Sequence, residues 1–82
     1  MSETFETFLR SGKVDSKNRH IGYIVGLREM EDGVYAWVQN ARCVAGVFNE
    51  FGVRQRSRKF SSMEQANKWA YATAKQRIAN LK

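Results

Sequence analysis

The chain of 82 residues predicts a single α+β domain in which a three- to four-stranded antiparallel sheet packs on one C-terminal α-helix. The first observation is the alternation of apolar with other side chains over residues 21–28 and 34–39, which is typical of strands. The second is Asp32-Gly33 between these runs, a dipeptide that favours a tight hairpin turn. The third is the helical spacing of apolar side chains over residues 63–81. Strands followed by one helix predict two packed layers.

The N-terminal segment favours a short helix, with a strand as the alternative for residues 3–10. Phe5, Phe8 and Leu9 follow the i, i+3, i+4 spacing of one helix face, and Ser2 stands where an N-cap is expected. A polar loop then leads to the hairpin.

The hairpin determines what each sheet face carries. With a two-residue turn at Asp32-Gly33, Leu27 pairs with Val38 and Arg28 with Trp37. The core face then collects Ile21, Tyr23, Val25, Leu27, Val34, Ala36 and Val38. The other face collects His20, Gly22, Ile24, Gly26, Arg28, Tyr35, Trp37 and Gln39. On this second face, aromatic and basic side chains are interleaved with glycines that keep the surface low.

The second half predicts a further strand pair and a long helix. Residues 42–48 continue as strand, residues 49–52 read as a turn, and residues 53–60 run back. Ser61 and Glu64 form a capping box for a helix of about five turns. Its core stripe is Met63, Ala66, Ala70, Ala74, Ile78 and Leu81.

Composition argues against several classes of protein. Cys43 and His20 are the only cysteine and histidine, so neither an internal disulfide nor a zinc site is expected. No apolar run reaches membrane-spanning length, and the N-terminus has no secretion signal. The sequence shows no catalytic triad, carboxylate pair or phosphate-binding glycine loop. We therefore expect a cytoplasmic, non-enzymatic protein without cofactor or membrane partner.

Positive charge is concentrated in the second half of the chain. The net charge is +6, and residues 33–82 hold nine basic side chains against two acidic ones. Such an excess raises the encounter rate with polyanions. Arg54, Arg56 and Arg58 alternate along a strand at about 6.6 Å, close to the spacing of phosphates along an extended nucleic-acid strand. The alternative is an arginine-rich edge strand that blocks pairing between sheets.

Phe60 conflicts with a regular arginine strand, because it shares the parity of the three arginines but should pack under the helix. Three arginines facing the core without partners would be strongly destabilising. Either a bulge between Ser57 and Phe60 re-aims the side chains, or the strand ends early.

The aromatic pair Tyr35 and Trp37 allows two interpretations. In one, the N-terminal helix covers both rings through Phe5 and Phe8. In the other, the rings offer stacking surfaces to bases, with Arg28 held beside Trp37 by a cation–π contact.

The stretch RKFSSMEQANKWA resembles the strand-to-helix junction of small β-β-β-α DNA-binding domains. These include the arm-type-site-binding domains of phage integrases and the plant ethylene-response-type domains. The resemblance implies that the exposed sheet face enters the major groove and that the helix backs the sheet. An α-β-β-β-α order also resembles double-stranded RNA-binding domains. That family's basic glycine-rich loop and lysine pair are absent, however, and Glu64 stands where a phosphate needs a cation. DNA is therefore favoured over RNA.

These observations together predict a small nucleic-acid-binding protein of the kind that phages and mobile elements encode, acting through a basic and aromatic sheet face. The candidate site residues are Arg28, Tyr35, Trp37, Arg42, Arg54, Arg56, Arg58 and Lys59. The alternative is an inhibitor or adaptor that docks through the same face on a host nucleoprotein complex, such as RNA polymerase or a CRISPR effector. The oligomeric state stays open, a dimer included.

Overall fold

The computed structural model describes residues 4–81 as a four-stranded sheet and one helix. The elements are β1 (Thr4–Val14), β2 (His20–Met30), β3 (Gly33–Val44), β4 (Val47–Arg56) and α1 (Met63–Ala79). All neighbouring strands are antiparallel, in the order β1-β2-β3-β4. The predicted α+β class, with an antiparallel sheet and a C-terminal helix, is confirmed. No helix among the described residues is long and apolar enough to span a membrane.

The N-terminal segment forms the edge strand β1 and not the helix that its spacing favoured. Phe8 pairs with Ile24 and Leu9 with Tyr23, so the two side chains lie on opposite faces of the sheet. Each thereby joins a different apolar cluster. A short isolated helix is marginally stable, whereas residues 4–10 pair continuously with β2. The proposed N-cap, Ser2, lies outside the described residues.

The β2–β3 hairpin has the predicted faces but a register shifted by two residues. Leu27 pairs with Ala36 and Arg28 with Tyr35, because the two-residue turn is Glu31-Asp32. Gly33, at φ 146°, is the first residue of β3 rather than part of that turn. A shift of two residues keeps every side chain on its face, so the division into a core face and a second face is confirmed.

The β3–β4 turn lies at Ala45-Gly46, not at residues 49–52. Both turn residues have positive φ, 51° and 78°, as a type I′ turn requires. Gly52, which suggested a turn, lies inside β4 at φ 77°. From the Val38–Gln55 pair to the Asn40–Phe51 pair, β3 advances two residues while β4 advances four. Gly52 therefore belongs to a bulge of two extra residues.

A second irregularity follows β4 and resolves the conflict over Phe60. Ser57 donates its N–H to the Ala36 carbonyl, and Phe60 donates its N–H to the Val34 carbonyl. An advance of three residues from Ser57 to Phe60 therefore matches an advance of only two residues on β3. The one extra residue reverses the parity, and Phe60 packs with the core under α1. The expected bulge between Ser57 and Phe60 is confirmed, and β4 itself ends at Arg56.

The main core lies between α1 and the central strands. It consists of Tyr23, Val25, Leu27, Val34, Ala36, Val38, Ala66, Ala70 and Ala74. Ala66, Ala70 and Ala74 are almost fully buried, so α1 approaches the sheet closely. Ile78 and Leu81 extend the predicted stripe as partly buried residues, while Met63 at its start is 37% exposed.

The N-cap of α1 is Ser62 rather than Ser61. The Ser62 Oγ accepts a hydrogen bond from the Gln65 N–H at 3.2 Å. Ser61 instead donates its hydroxyl to the Gln65 side-chain oxygen at 2.9 Å. Gln65 thus stands in the place assigned to Glu64, but its side chain accepts from Ser61 and not from the N–H of Ser62, so the capping box is not reciprocal.

Ser62→Ala is expected to lower the free energy of unfolding by about 1 kcal/mol, because one N–H of the first helical turn loses its acceptor. Urea denaturation followed by circular dichroism measures the effect. Ser61→Ala is the matched control and should have a smaller effect. A larger loss for Ser61→Ala would place the cap one residue earlier.

Candidate nucleic-acid interface

The sheet face opposite α1, termed the outer face, carries a second apolar cluster beneath basic side chains. The apolar cluster consists of Phe8, Ile24, Tyr35, Trp37 and Ala41, and the basic side chains above it include Arg54 and Arg56. Helix α1 packs against β2 and β3 from the other side, and no described element covers the outer face. The N-terminal segment lies at the edge of the sheet as β1, so it does not form the expected helical cover over Tyr35 and Trp37.

Trp37 is 2% exposed although no helix lies above it. Its ring lies directly on Gly26, where an added Cβ would stand 2.1 Å from the Trp37 Cζ2 atom. The guanidinium carbon of Arg54 lies 3.7 Å from the ring centroid and covers the indole. The expected partner, Arg28, instead lies opposite Tyr35. The cation–π contact thus exists, but β4 supplies its arginine.

The bulge in β4 holds Arg54 over the indole through a buried glutamine. The Gln39 amide donates to the carbonyl oxygens of Phe51 and Gly52 at 2.6 and 3.0 Å. Its oxygen accepts from Arg54 Nε at 3.4 Å, and Glu50 lies 3.5 Å from Arg54 Nη2. Neither Gln39 nor Glu50 was among the predicted site residues. The available signal for Gln39 was its place on the same strand face as Tyr35 and Trp37.

Arg56 and Lys59 lie at the rim of a shallow depression beside this stack. The depression, ≈ 190 Å³ in volume, is lined by Tyr35, Arg56, Ser57 and Lys59. The Arg56 guanidinium carbon is 5.7 Å from the Tyr35 ring centroid. Lys59 Nζ donates to Asp32 at 2.5 Å, and this hydrogen bond holds the pKa of Asp32 below its ordinary value. Two cations, a hydroxyl and an aromatic ring therefore converge on one small concavity.

The remaining predicted site residues are placed differently. Arg58 follows β4, in the second bulge, with its guanidinium 4.5 Å from the Phe60 ring centroid. The three alternating arginines therefore do not form one straight row. Arg42 pairs with Ile21 on the helix-side face and forms an ion pair with Asp15 at 3.7 Å. Arg42 is thus on the wrong side of the sheet to share a surface with Trp37.

The structure brings together Tyr35, Trp37, Arg54 and Arg56, with Arg28 and Lys59 at the same end of the sheet. Among residues 4–81, no three His, Cys, Asp or Glu side chains are grouped to hold a metal ion. A scan against protein-family models, a search of curated proteins and a search of solved structures each found no match to this chain. The function of the outer face is therefore inferred from its charges and contacts.

Proposed function

We propose that the protein binds nucleic acid, and duplex DNA in particular, through the outer face. The observation that carries the proposal is the pair of arginine–aromatic contacts, Arg54 with Trp37 and Arg56 with Tyr35. A guanidinium that lies on a ring keeps its N–H edge free for phosphate oxygens or base edges. Arg54 uses part of its edge for Gln39 and Glu50, whereas the Arg56 guanidinium has no hydrogen-bond partner among the described residues, and no described element covers this face.

The charge balance of the outer face supports the same partner. Its strand positions carry the cations Arg10, Arg28, Arg54 and Arg56 and the acids Glu6 and Glu50. Glu50 is already engaged with Arg54, which leaves Glu6 toward the β1 edge. The surface around Tyr35 is therefore basic, and such a surface attracts a phosphate backbone.

On the outer face the aromatic rings lie deepest and the cations lie outermost, an arrangement that favours a duplex over a single strand. Single-strand binders stack unpaired bases on accessible aromatic rings. Here Trp37 is buried beneath Arg54, and Phe8 lies low over Gly22. The cations are outermost, where they meet phosphates and groove edges. The B-DNA major groove admits a two-stranded β-ribbon, whereas the deep, narrow groove of RNA helices does not admit side chains, so DNA is favoured.

This proposal changes the role first expected of Trp37. A base can stack on the indole only if Arg54 leaves it. We therefore assign Trp37 to supporting Arg54 and assign contact with DNA to the arginines. Tyr35 is partly exposed and borders the depression beside Arg56, so it contributes its ring directly.

A second candidate function, docking on a host nucleic-acid-associated protein, is favoured by the apolar side chains of β4. The exposed ones are Val47, Phe48, Phe51 and Val53, the last 89% exposed. Phe48 lies on the outer face, whereas Val47 and Phe51 lie on the helix-side face. DNA offers little apolar surface to such side chains, whereas a protein partner offers a matching apolar surface. Salt dependence separates the two functions, because binding to plain duplex DNA weakens steeply with salt.

Arg56→Ala is expected to weaken binding to duplex DNA of any sequence and to lower the salt slope by about one unit, because one phosphate contact is lost. Fluorescence anisotropy of a labelled duplex, titrated at several salt concentrations, measures both quantities. Lys75→Ala, an equal loss of charge on the exposed side of α1, is the matched control and should leave the slope unchanged. Equal slope changes in both variants, or no salt-dependent binding by the parent protein, would refute the proposal.

A further inference from the structure

The two stacked arginines of the outer face are held in different ways. Arg54 lies 3.7 Å from its ring centroid and has hydrogen-bond acceptors in Gln39 and Glu50. Arg56 lies 5.7 Å from the Tyr35 centroid. Among the described residues, its guanidinium has neither a hydrogen bond nor an ion pair. One arginine is therefore fixed in orientation and the other is free to move.

The orientation of Arg54 is determined by the backbone of the bulge. The Phe51 and Gly52 carbonyls accept from the amide of Gln39, which fixes the direction of the glutamine oxygen. That oxygen then accepts from Arg54 Nε. Immobilising an arginine side chain costs up to about 2 kcal/mol of rotamer entropy. Here part of that entropy is lost during folding, before any ligand arrives.

A fixed guanidinium suits base recognition better than phosphate contact. Phosphate contacts carry no sequence information, whereas base readout requires donors aligned with the acceptors on a base edge. Arg54 is also partly neutralised by Glu50, so it has less charge to offer a phosphate. Of the five N–H groups of a guanidinium, Gln39 and Glu50 accept from two, which leaves three, including both on Nη1.

We propose that Arg54 is a specificity-determining residue that donates two hydrogen bonds to O6 and N7 of a guanine in the major groove. Arg56 and Arg28, which have no such support, contact phosphates. Gln39 and Trp37 act as positioning residues, because they hold Arg54 without reaching the DNA. This inference rests on the proposed binding of duplex DNA.

The test removes one acceptor from the base. Selection from a duplex pool with a randomised central segment should first yield a position where the parent protein prefers guanine. Replacement of that base by 7-deazaguanine keeps the base pair but removes the N7 acceptor. The parent should bind the modified duplex more weakly, by up to about 150-fold, the upper limit for loss of a whole bidentate base contact.

Matched variants assign the effect to Arg54. Arg54→Met keeps an unbranched side chain but has no hydrogen-bond donor, so it should bind the two duplexes equally. Arg56→Ala should weaken both duplexes and keep their ratio. Circular dichroism melting confirms that each variant is folded under the binding conditions.

The outcomes distinguish failure of the role proposed for Arg54 from failure of the proposed DNA binding. Discrimination retained by Arg54→Met, or a parent protein that selects no base, overturns the role of Arg54 and leaves salt-dependent DNA binding intact. A parent protein that binds no duplex at all overturns both. Loss of discrimination in Arg54→Met, with the ratio of the two affinities unchanged in Arg56→Ala, supports the inference.

Discussion

Trp37→Ala is expected to lower the free energy of unfolding by about 3–5 kcal/mol, as for other buried tryptophans. The indole is 2% exposed and fills the centre of the outer-face cluster with Ile24 and Ala41. Its removal leaves a cavity between Gly26 and Arg54, because the backbone of a paired strand cannot collapse to fill it. Urea denaturation monitored by circular dichroism gives the unfolding free energy directly.

Trp69→Ala is the control for this substitution, since Trp69 lies at the margin of the α1 core and is only partly buried. Its expected loss of stability is smaller. A Trp37→Ala variant that keeps its stability and loses only DNA affinity would contradict the burial of the ring. That result would return Trp37 to the base-stacking role.

Gly26→Ala is expected to destabilise the fold by about 1–3 kcal/mol, the usual range for an overpacked site. The new Cβ would stand 2.1 and 2.2 Å from two carbon atoms of the Trp37 indole. The ring then has to lift from the sheet, and Arg54 loses its platform. The same substitution should cost much less in a Trp37→Val background, which keeps an apolar side chain on β3 without the ring.

The Gly26 and Trp37 substitutions thus form a double-mutant cycle with a non-zero coupling energy. Denaturation of the parent protein, both single variants and the double variant measures that energy. Additive effects would mean that something other than the indole prevents a side chain at position 26.

The division of the sheet into two faces was predictable because side chains on a strand alternate strictly. The predicted pairing of Leu27 and Arg28 was wrong by two residues, but a shift of two leaves each side chain on the face predicted for it. The nature of the N-terminal segment was not predictable in this way, because Phe8 and Leu9 fit one helix face as well as two strand faces. Pairing with β2, a long-range contact, decides between them.

The sequence predicted that arginines and aromatic residues form the candidate site, but not which arginine contacts which ring. Arg54 reaches Trp37 because a bulge at Gly52 sets the path of β4, and a glycine in sequence reads equally as a turn or a bulge. Arg42 is different, because continued alternation from Val38 along β3 already places it on the helix-side face. That error was avoidable from the sequence alone.

The two bulges, one inside β4 and one after it, differ in the changes of chain length that they tolerate. The bulge at Gly52 contains two extra residues, so its removal preserves the face of every side chain before and after it. The bulge before Phe60 contains one, so its removal turns Phe60 away from α1. A related chain can therefore lose the bulge at Gly52 and still fold, although its Arg54 would no longer be held over Trp37. The second bulge has to be kept by any chain that uses an aromatic residue here to close the core.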